Sequence, residues 1–464
     1  MNFRKVCVWL CGGLGLMQDS NAVRAEVVMD AVCSGDRCYL RTAFLPNEPS
    51  YAVDCYICAD AGVGAVAYVT GPAEDLRGYV THFDPWGRRL HEPALIDQDH
   101  SYRPYYMCAD RSGDVTAVFW RSGLVNAHFL RNFDSSGVAL CNLVRVNDIS
   151  HSAPGNWTVS VGPQRVAATM IRNTQVPPKE IVSAVYSPFG EPLSSAPPFD
   201  TQAGYAVRPK SSITVNGDLL LAYSSGVSDP YEAGVFHRVF ADASGQTPAF
   251  AEPFANPIDV WPLNNGLAAL AFVNLEEGSP DFAVEFIRIL TLDGEPVGDL
   301  IRLASASTID IAGDRDGGVA QLSIDENAVM RVAVYDHEFS LVSPAFPIQP
   351  AAINAPNQDT IYIAKPLALD PNGTIWLAWH ARSGPDANIY IGTLQPFLPG
   401  DMNRDGLVNN FDIDAFVFAL SNLPGYAATY NIPEGAAVII GDINEDGFLN
   451  NFDIDPFVSL LAEE

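Results

Sequence analysis

Tyr56-Ile57-Cys58-Ala59-Asp60 returns fifty residues later as Tyr106-Met107-Cys108-Ala109-Asp110. Phe83-Asp84 with Gly87 returns at the same offset as Phe133-Asp134 with Gly137. Two matches at one offset mark an internal repeat. Each copy has the same plan. A turn rich in Gly, Asn or Asp leads into a short apolar strand of small and β-branched residues. A polar loop follows, then a second strand ending in a Gly-containing turn. The apolar strands begin near Ala65, Val115, Val166, Leu219, Leu267, Val319 and Ile375, at spacings of 48 to 56 residues. The second-strand turns lie near Gly87, Gly137, Gly190, Gly245 and Gly294, and Asp336-His337-Glu338 takes that role in the sixth copy.

Seven strand groups at this spacing predict a mainly β fold, a seven-bladed β-propeller over residues 26–398, with six blades as the alternative count. The small residues of Ala65-Val66-Ala67 and Leu267-Ala268-Ala269 suit an innermost strand, and Trp120, Phe272 and Trp379 suit packing between blades. Closure requires the first and last blades to share strands, so the segment Glu26 to Phe44 is expected to complete the blade containing Ile375. Two β-sandwiches are the rival architecture. The segment Asp370-Pro-Asn-Gly-Thr-Ile-Trp376 resembles the Asp-box of sialidases. It lacks that motif's Ser and spacing, so no sialidase activity is carried over.

Charged residues are 17% of the chain and hydrophobic ones 48%, which favours a packed fold over disorder. The formal net charge is −29. Such a surface repels nucleic acid and anionic membranes and suits cations, neutral sugars or protein partners. The first 25 residues read as an export signal: Arg4 and Lys5 precede the short apolar run Val6 to Met17, and Val23-Arg24-Ala25 offers a cleavage site. The expected location is therefore secreted or at the cell surface. A retained N-terminal anchor is the main alternative, and a lipid anchor on Cys11 a lesser one. No later segment is apolar and long enough for a transmembrane helix.

Six cysteines follow that signal, and an even number in an exported chain suggests disulfides. Cys33 and Cys38 flank a tight Gly-Asp turn and form the expected pair. Cys55-x-x-Cys58 has neither a second such pair nor a nearby His to support zinc.

The C-terminal region carries a different repeat. Asp401-Met-Asn-Arg-Asp-Gly-Leu-Val-Asn-Asn-Phe-Asp412 returns as Asp442-Ile-Asn-Glu-Asp-Gly-Phe-Leu-Asn-Asn-Phe-Asp453. Over twenty positions from each start, thirteen are identical, so the segment is a duplication. The spacing is that of a calcium loop, because calcium takes six to eight oxygens. Asp401, Asn403 and Asp405 supply positions 1, 3 and 5, and Asp442, Asn444 and Asp446 do so in the second copy. Gly406 and Gly447 allow the turn at position 6. The carbonyls of Leu407 and Phe448 follow at position 7, Asn409 and Asn450 at position 9, and Asp412 and Asp453 at position 12. Two Ca2+ ions are expected. A helix should follow each loop, burying Ile413, Phe416, Val417 and Leu420 in one copy and Ile454, Phe457, Val458 and Leu461 in the other. Pro396 and Pro399 oppose a helix before the first loop, and Pro433 to Gly435 interrupt one before the second.

A duplicated loop-then-helix unit over about residues 400–462 resembles the type I dockerin domain, in particular the tails common in planctomycete proteins. The resemblance implies an α-helical dockerin-like domain over residues 399–464 that attaches to a cohesin-like or other cell-envelope partner. It implies that Asn410, Phe411, Asn451 and Phe452, at loop positions 10 and 11, face that partner. The basic residues usual on a dockerin helix are replaced by Phe418-Ala419 and Ser459-Leu460, and the linker between the copies is long. The reading is a binding or scaffold protein, with carbohydrate as a further ligand. The alternative is a carbohydrate-active enzyme of the glycoside hydrolase type. No catalytic constellation stands out: the histidines are scattered, and Ser122-Gly123 lacks a nucleophile elbow.

Overall fold

Ala65, Val66 and Ala67 are consecutive in one strand, yet all three are buried. Successive side chains of a strand point to opposite faces, so both faces must be covered. In the computed structural model, Ala65 and Ala67 pack with Val118 and Trp120 of the next repeat. Val66 packs with Trp376 and Ala378 of the last repeat. A sheet held between two neighbouring sheets is a propeller blade.

The structure describes residues 28–34, 37–44, 54–60, 62–70, 77–97, 104–122, 127–147, 157–172, 180–195, 199–200, 205–226, 233–241, 250–253, 255–276, 283–306, 308–325, 329–348, 366–383 and 386–462. Within them, seven antiparallel sheets of four or five strands succeed one another along the chain. Blade 1 spans residues 54–95, blade 2 104–147, blade 3 157–200, blade 4 205–253, blade 5 255–306 and blade 6 308–347. Blade 7 joins residues 367–397 to the N-terminal strands Val28–Ser34 and Arg37–Phe44. The last strand pairs with Arg37–Phe44 from Cys38 opposite Phe397 to Phe44 opposite Ile391. The N-terminal segment thus completes the blade containing Ile375. Trp120, Phe272 and Trp379 lie between blades, each packed on residues of the preceding sheet.

The strands expected innermost are the second of each blade. The first strands, Asp54–Asp60, Pro104–Ser112, Trp157–Gly162, Tyr205–Ile213, Ala255–Pro262, Thr308–Gly313 and Leu367–Leu369, line a central cavity of about 310 Å3. Small residues such as Ala65 and Ala269 record crowding between blades, not around the axis. The axial strands carry polar and aromatic residues because they border the cavity. Likewise, the Gly turns close the third strand of each blade, not the second. Gly87, Gly137, Gly190 and Gly294 hold φ of 80°, 78°, 80° and 92°, and Phe339 takes that place in blade 6 at φ 60°. Gly245 lies outside the described residues.

The repeated Asp of Tyr-x-Cys-Ala-Asp grips the next blade. Asp60 Oδ2 accepts the Gly113 N–H at 2.5 Å, and Asp110 Oδ2 accepts the Val161 N–H at 2.8 Å. The N-terminal strands are pinned in the same manner. Arg41 donates to both oxygens of Asp30 at 2.6 and 2.5 Å and to the Pro347 carbonyl of blade 6 at 2.8 Å.

Cys33 and Cys38 form a disulfide across this first hairpin, as expected. Further disulfides are not found among the described residues: Cys55, Cys58, Cys108 and Cys141 are buried thiols. Cys55 and Cys58 point to opposite faces of one strand, Cys55 toward blade 7 and Cys58 toward blade 2. The expected leader, with Cys11, lies outside the described residues. No helix among the described residues is long and apolar enough to cross a membrane.

Four helices follow the propeller: α1 (Asp412–Ser421), α2 (Leu423–Thr429), α3 (Glu434–Gly441) and α4 (Ile454–Ala462). Two expectations are corrected. Pro433 does not block a helix before the second loop; it caps the start of α3, where its missing N–H costs nothing. The buried stripe of α1 is Asp412, Ala415, Phe416 and Ala419. Ile413, Val417, Ile454 and Val458 are exposed instead, while Phe416 and Phe457 are buried as expected. Asp412 and Asp453 must face inward to close their loops, and that fixes the phase of each helix one residue away from the apolar pattern.

Candidate metal centre

The two C-terminal loops share most of their hydrogen bonds; Asn450 Nδ2 alone adds bonds to Asp446 and the Phe448 carbonyl. At position 1, Asp401 accepts the N–H groups of Asp405 and Gly406 at 3.1 and 3.0 Å, and Asp442 accepts those of Asp446 and Gly447 at 3.0 and 2.7 Å. At position 3, Asn403 Oδ1 accepts the Asp405 N–H and Asn444 Oδ1 the Asp446 N–H, at 2.8 and 2.9 Å. At position 5, Asp405 and Asp446 accept the N–H of Leu407 and Phe448, both at 3.0 Å. Asn409 and Asn450 Oδ1 accept the N–H of Phe411 and Phe452 at 2.7 and 2.8 Å, and Asn450 thereby caps the helical turn Asn451–Asp453. Asp412 and Asp453 are fully buried. Each bonds the backbone of positions 3 and 9, Asp412 to Asn403 and Asn409 and Asp453 to Asn444 and Asn450.

Gly406 and Gly447 hold φ of 89° and 90°, which only glycine adopts without strain. Arg404 and Glu445 at position 4 are also left-handed, at 62° and 60°. Both loops therefore fold into the same concave shape. Each carries three carboxylates, two side-chain amides and one position-7 carbonyl along one twelve-residue turn. These are hard oxygen donors without His or Cys, the chemistry that suits calcium. Among the described residues no three His, Cys, Asp or Glu side chains form a metal shell of their own; the loops offer a mixed oxygen set.

The electrostatics favour a cation. Burial, then the charge of nearby Asp412, holds Asp401 above the usual carboxylate range. Burial, then the charges of Asp453 and Asp446, does the same for Asp442. A divalent ion would relieve both penalties.

Outside each loop lies a matching apolar edge. Phe411 and Phe452 are 79% and 77% exposed. Leu407, Ile413 and Val417 beside the first, and Phe448, Ile454 and Val458 beside the second, are exposed too. Asn410 and Asn451 are exposed at the same edges. The sequence pattern had assigned Ile413, Val417, Ile454 and Val458 to the core.

Two groups of residues were not picked out from the sequence. Asp259 and Asp310 sit one repeat apart at β-bulges in the axial strands of blades 5 and 6 and line the central cavity with Lys210, Trp157 and Trp261. The signal was present as Ile258-Asp259-Val260 and Ile309-Asp310-Ile311. His82 and His91, nine residues apart on either side of one turn, meet with Nδ1 and Nε2 2.6 Å apart, and His82 Nε2 reaches Thr116 Oγ1 at 2.8 Å.

No family model and no curated protein matches the chain. Several solved structures are similar to it. They include the acylaminoacyl peptidase of Pyrococcus horikoshii, at 12% identity and TM-score 0.45 over 75% of this chain and 52% of that one. The six-bladed Aleuria aurantia lectin is similar at 9% identity and TM-score 0.41, over 65% and 97% of the two chains. A puromycin-hydrolyzing peptidase of Mycobacterium tuberculosis is similar at 13% identity and TM-score 0.42, over 72% and 51%. This chain spans about half the length of either peptidase. These likenesses carry no inference about activity.

Proposed function

We propose that this chain is an exported calcium-binding attachment protein, in which a seven-bladed propeller serves as a binding or scaffold body. The dockerin-like module of residues 399–464 holds one Ca2+ in each loop and joins the propeller to a cohesin-like or other cell-envelope protein. One observation carries the reading: two duplicated loops share most of their hydrogen bonds and each exposes an equivalent apolar edge. Exposed Phe, Ile and Val at equivalent positions would bury apolar area against a partner. Because the edges are alike, either could engage the partner. The test is capture from the native cell envelope in calcium. Phe411→Ala or Phe452→Ala alone should weaken capture slightly, and the double variant should abolish it. Equal capture by the double variant and wild type would remove these edges as the attachment surface.

A second reading, a glycoside hydrolase, draws support from Asp259 and Asp310 beside the central cavity, since glycoside cleavage uses paired carboxylates. Hydrolysis of a polysaccharide panel by wild type, lost in Asp259→Asn and Asp310→Asn, would favour it over the binding role.

A further inference from the structure

Trp86 and Phe189 occupy the same position in the third-strand turns of blades 1 and 3, two residues after Asp84 and Ser187. Phe189 is 65% exposed, whereas Trp86 is 5% exposed. The difference is the helical module. Trp86 belongs to a cluster with Leu40 of blade 7 and Met402, Phe416, Tyr426 and Ile440 of the module, with Phe397 packed against it. The Arg404 guanidinium, at position 4 of the first loop, lies 5.3 Å from the Trp86 ring centroid. Arg88 Nη2 of the same turn donates to Asn431 Oδ1 at 3.0 Å.

The module therefore touches both sides of the seam between blades 7 and 1. Leu40 and Phe397 lie on the two strands whose pairing closes the ring. Trp86 lies on blade 1, across the seam from blade 7. From the propeller side, Thr393 and Gln395 of blade 7 donate to the Pro85 carbonyl at 2.6 and 2.8 Å. The Pro85-Trp86 turn is thus held by blade 7 on one side and by the module on the other. The first loop contributes Met402 and Arg404 to this contact. The second loop places Ile443, partly buried against the same cluster, at the position of Met402, but the exposed Glu445 at the position of Arg404, so the contact of a position-4 side chain with Trp86 belongs to the first loop.

We propose that the module is a calcium-dependent latch across the seam between blades 7 and 1, with Trp86 as its catch and the first loop as the coupling element. The proposal rests on the calcium reading given above and goes beyond it. Metal binding that orders a small module is folding energy for that module. Where the ordered module also bridges blades 7 and 1, the same energy opposes their separation.

The reporter is Cys55, buried between blades 1 and 7 with Trp376 and Ile391. Cys108, buried between blades 2 and 3 with Trp157, is the reference. Alkylation of native full-length protein is followed by peptide mass spectrometry, with calorimetry counting bound calcium in parallel. Calcium should slow Cys55 labelling at least about threefold, with a smaller effect on Cys108. In Trp86→Ala, two ions should still bind while the calcium effect on Cys55 disappears. Arg404→Gly, which keeps the left-handed loop conformation, should reduce it in part. Two bound ions with an unchanged Cys55 rate would overturn the latch and leave the calcium sites standing. Equal slowing of Cys55 and Cys108 would also overturn it. Absence of calcium binding would remove the metal reading, and the latch with it.

Discussion

Phe416 and Phe457 stack with ring centroids 4.2 Å apart and planes 14° from parallel. They are equivalent residues of the two loop-helix copies, so the duplication packs on itself through its own repeat. Each helix is too short to persist alone, and this stack joins the two copies within one cluster. Phe416→Ala or Phe457→Ala should cost the module about 3–5 kcal/mol. Denaturant unfolding followed by helical circular dichroism in saturating calcium should show the loss. A change below about 1 kcal/mol would mean that the stack is peripheral.

The buried Arg41–Asp30 pair should govern retention of the N-terminal strands in blade 7. Both side chains are 8% exposed. Arg41→Met leaves the Asp30 charge buried without its partner, at a cost of about 3–5 kcal/mol. Combining it with Asp30→Leu should recover much of that loss, because the orphaned charge is then gone. Chemical denaturation of the three proteins checks this. A double variant as unstable as Arg41→Met would point to lost packing instead.

How much of this was legible in the sequence depends on what each residue had to signal. The Cys-Ala-Asp repeat and the Gly turns report local geometry, so blade number and closure could be read from their spacing. Small residues such as Ala65 and Ala269 report only close packing against a neighbouring sheet. That does not distinguish the axis from the space between blades, and the innermost strands were misassigned. Ile413 and Val417 have the spacing of a core stripe, but the inward demand of Asp412 overrides it. Trp86 looks like any turn residue until the module covers it. The His82–His91 contact depends on how the chain folds back after its turn, and the placing of Asp259 and Asp310 at the cavity on the register of bulged strands, which residue spacing alone does not supply.

Acid should weaken the propeller through His82. Burial first, then the charges of Arg111 and His91, lowers the His82 imidazole from 6.5 to about 3. Between those values the unfolded chain binds a proton that the folded chain refuses. Stability from this group is therefore present above pH 6.5 and is lost as pH falls toward 3. At roughly 1.4 kcal/mol per pH unit, the loss at pH 4.5 is about 2–3 kcal/mol. His82→Asn should be less stable at pH 7 but should lose that much less on acidification. Parallel pH slopes for the two proteins would show that His82 does not set the dependence.

The central claim is that residues 401–453 hold two calcium ions, and isothermal titration of the full-length protein after chelation tests it most directly. Asp405→Ala should remove the first site and Asp446→Ala the second, each leaving one ion per chain, and the double variant should bind none. Wild type should bind two ions. No heat above the mixing blank at millimolar calcium, or binding unchanged in the double variant, would contradict it.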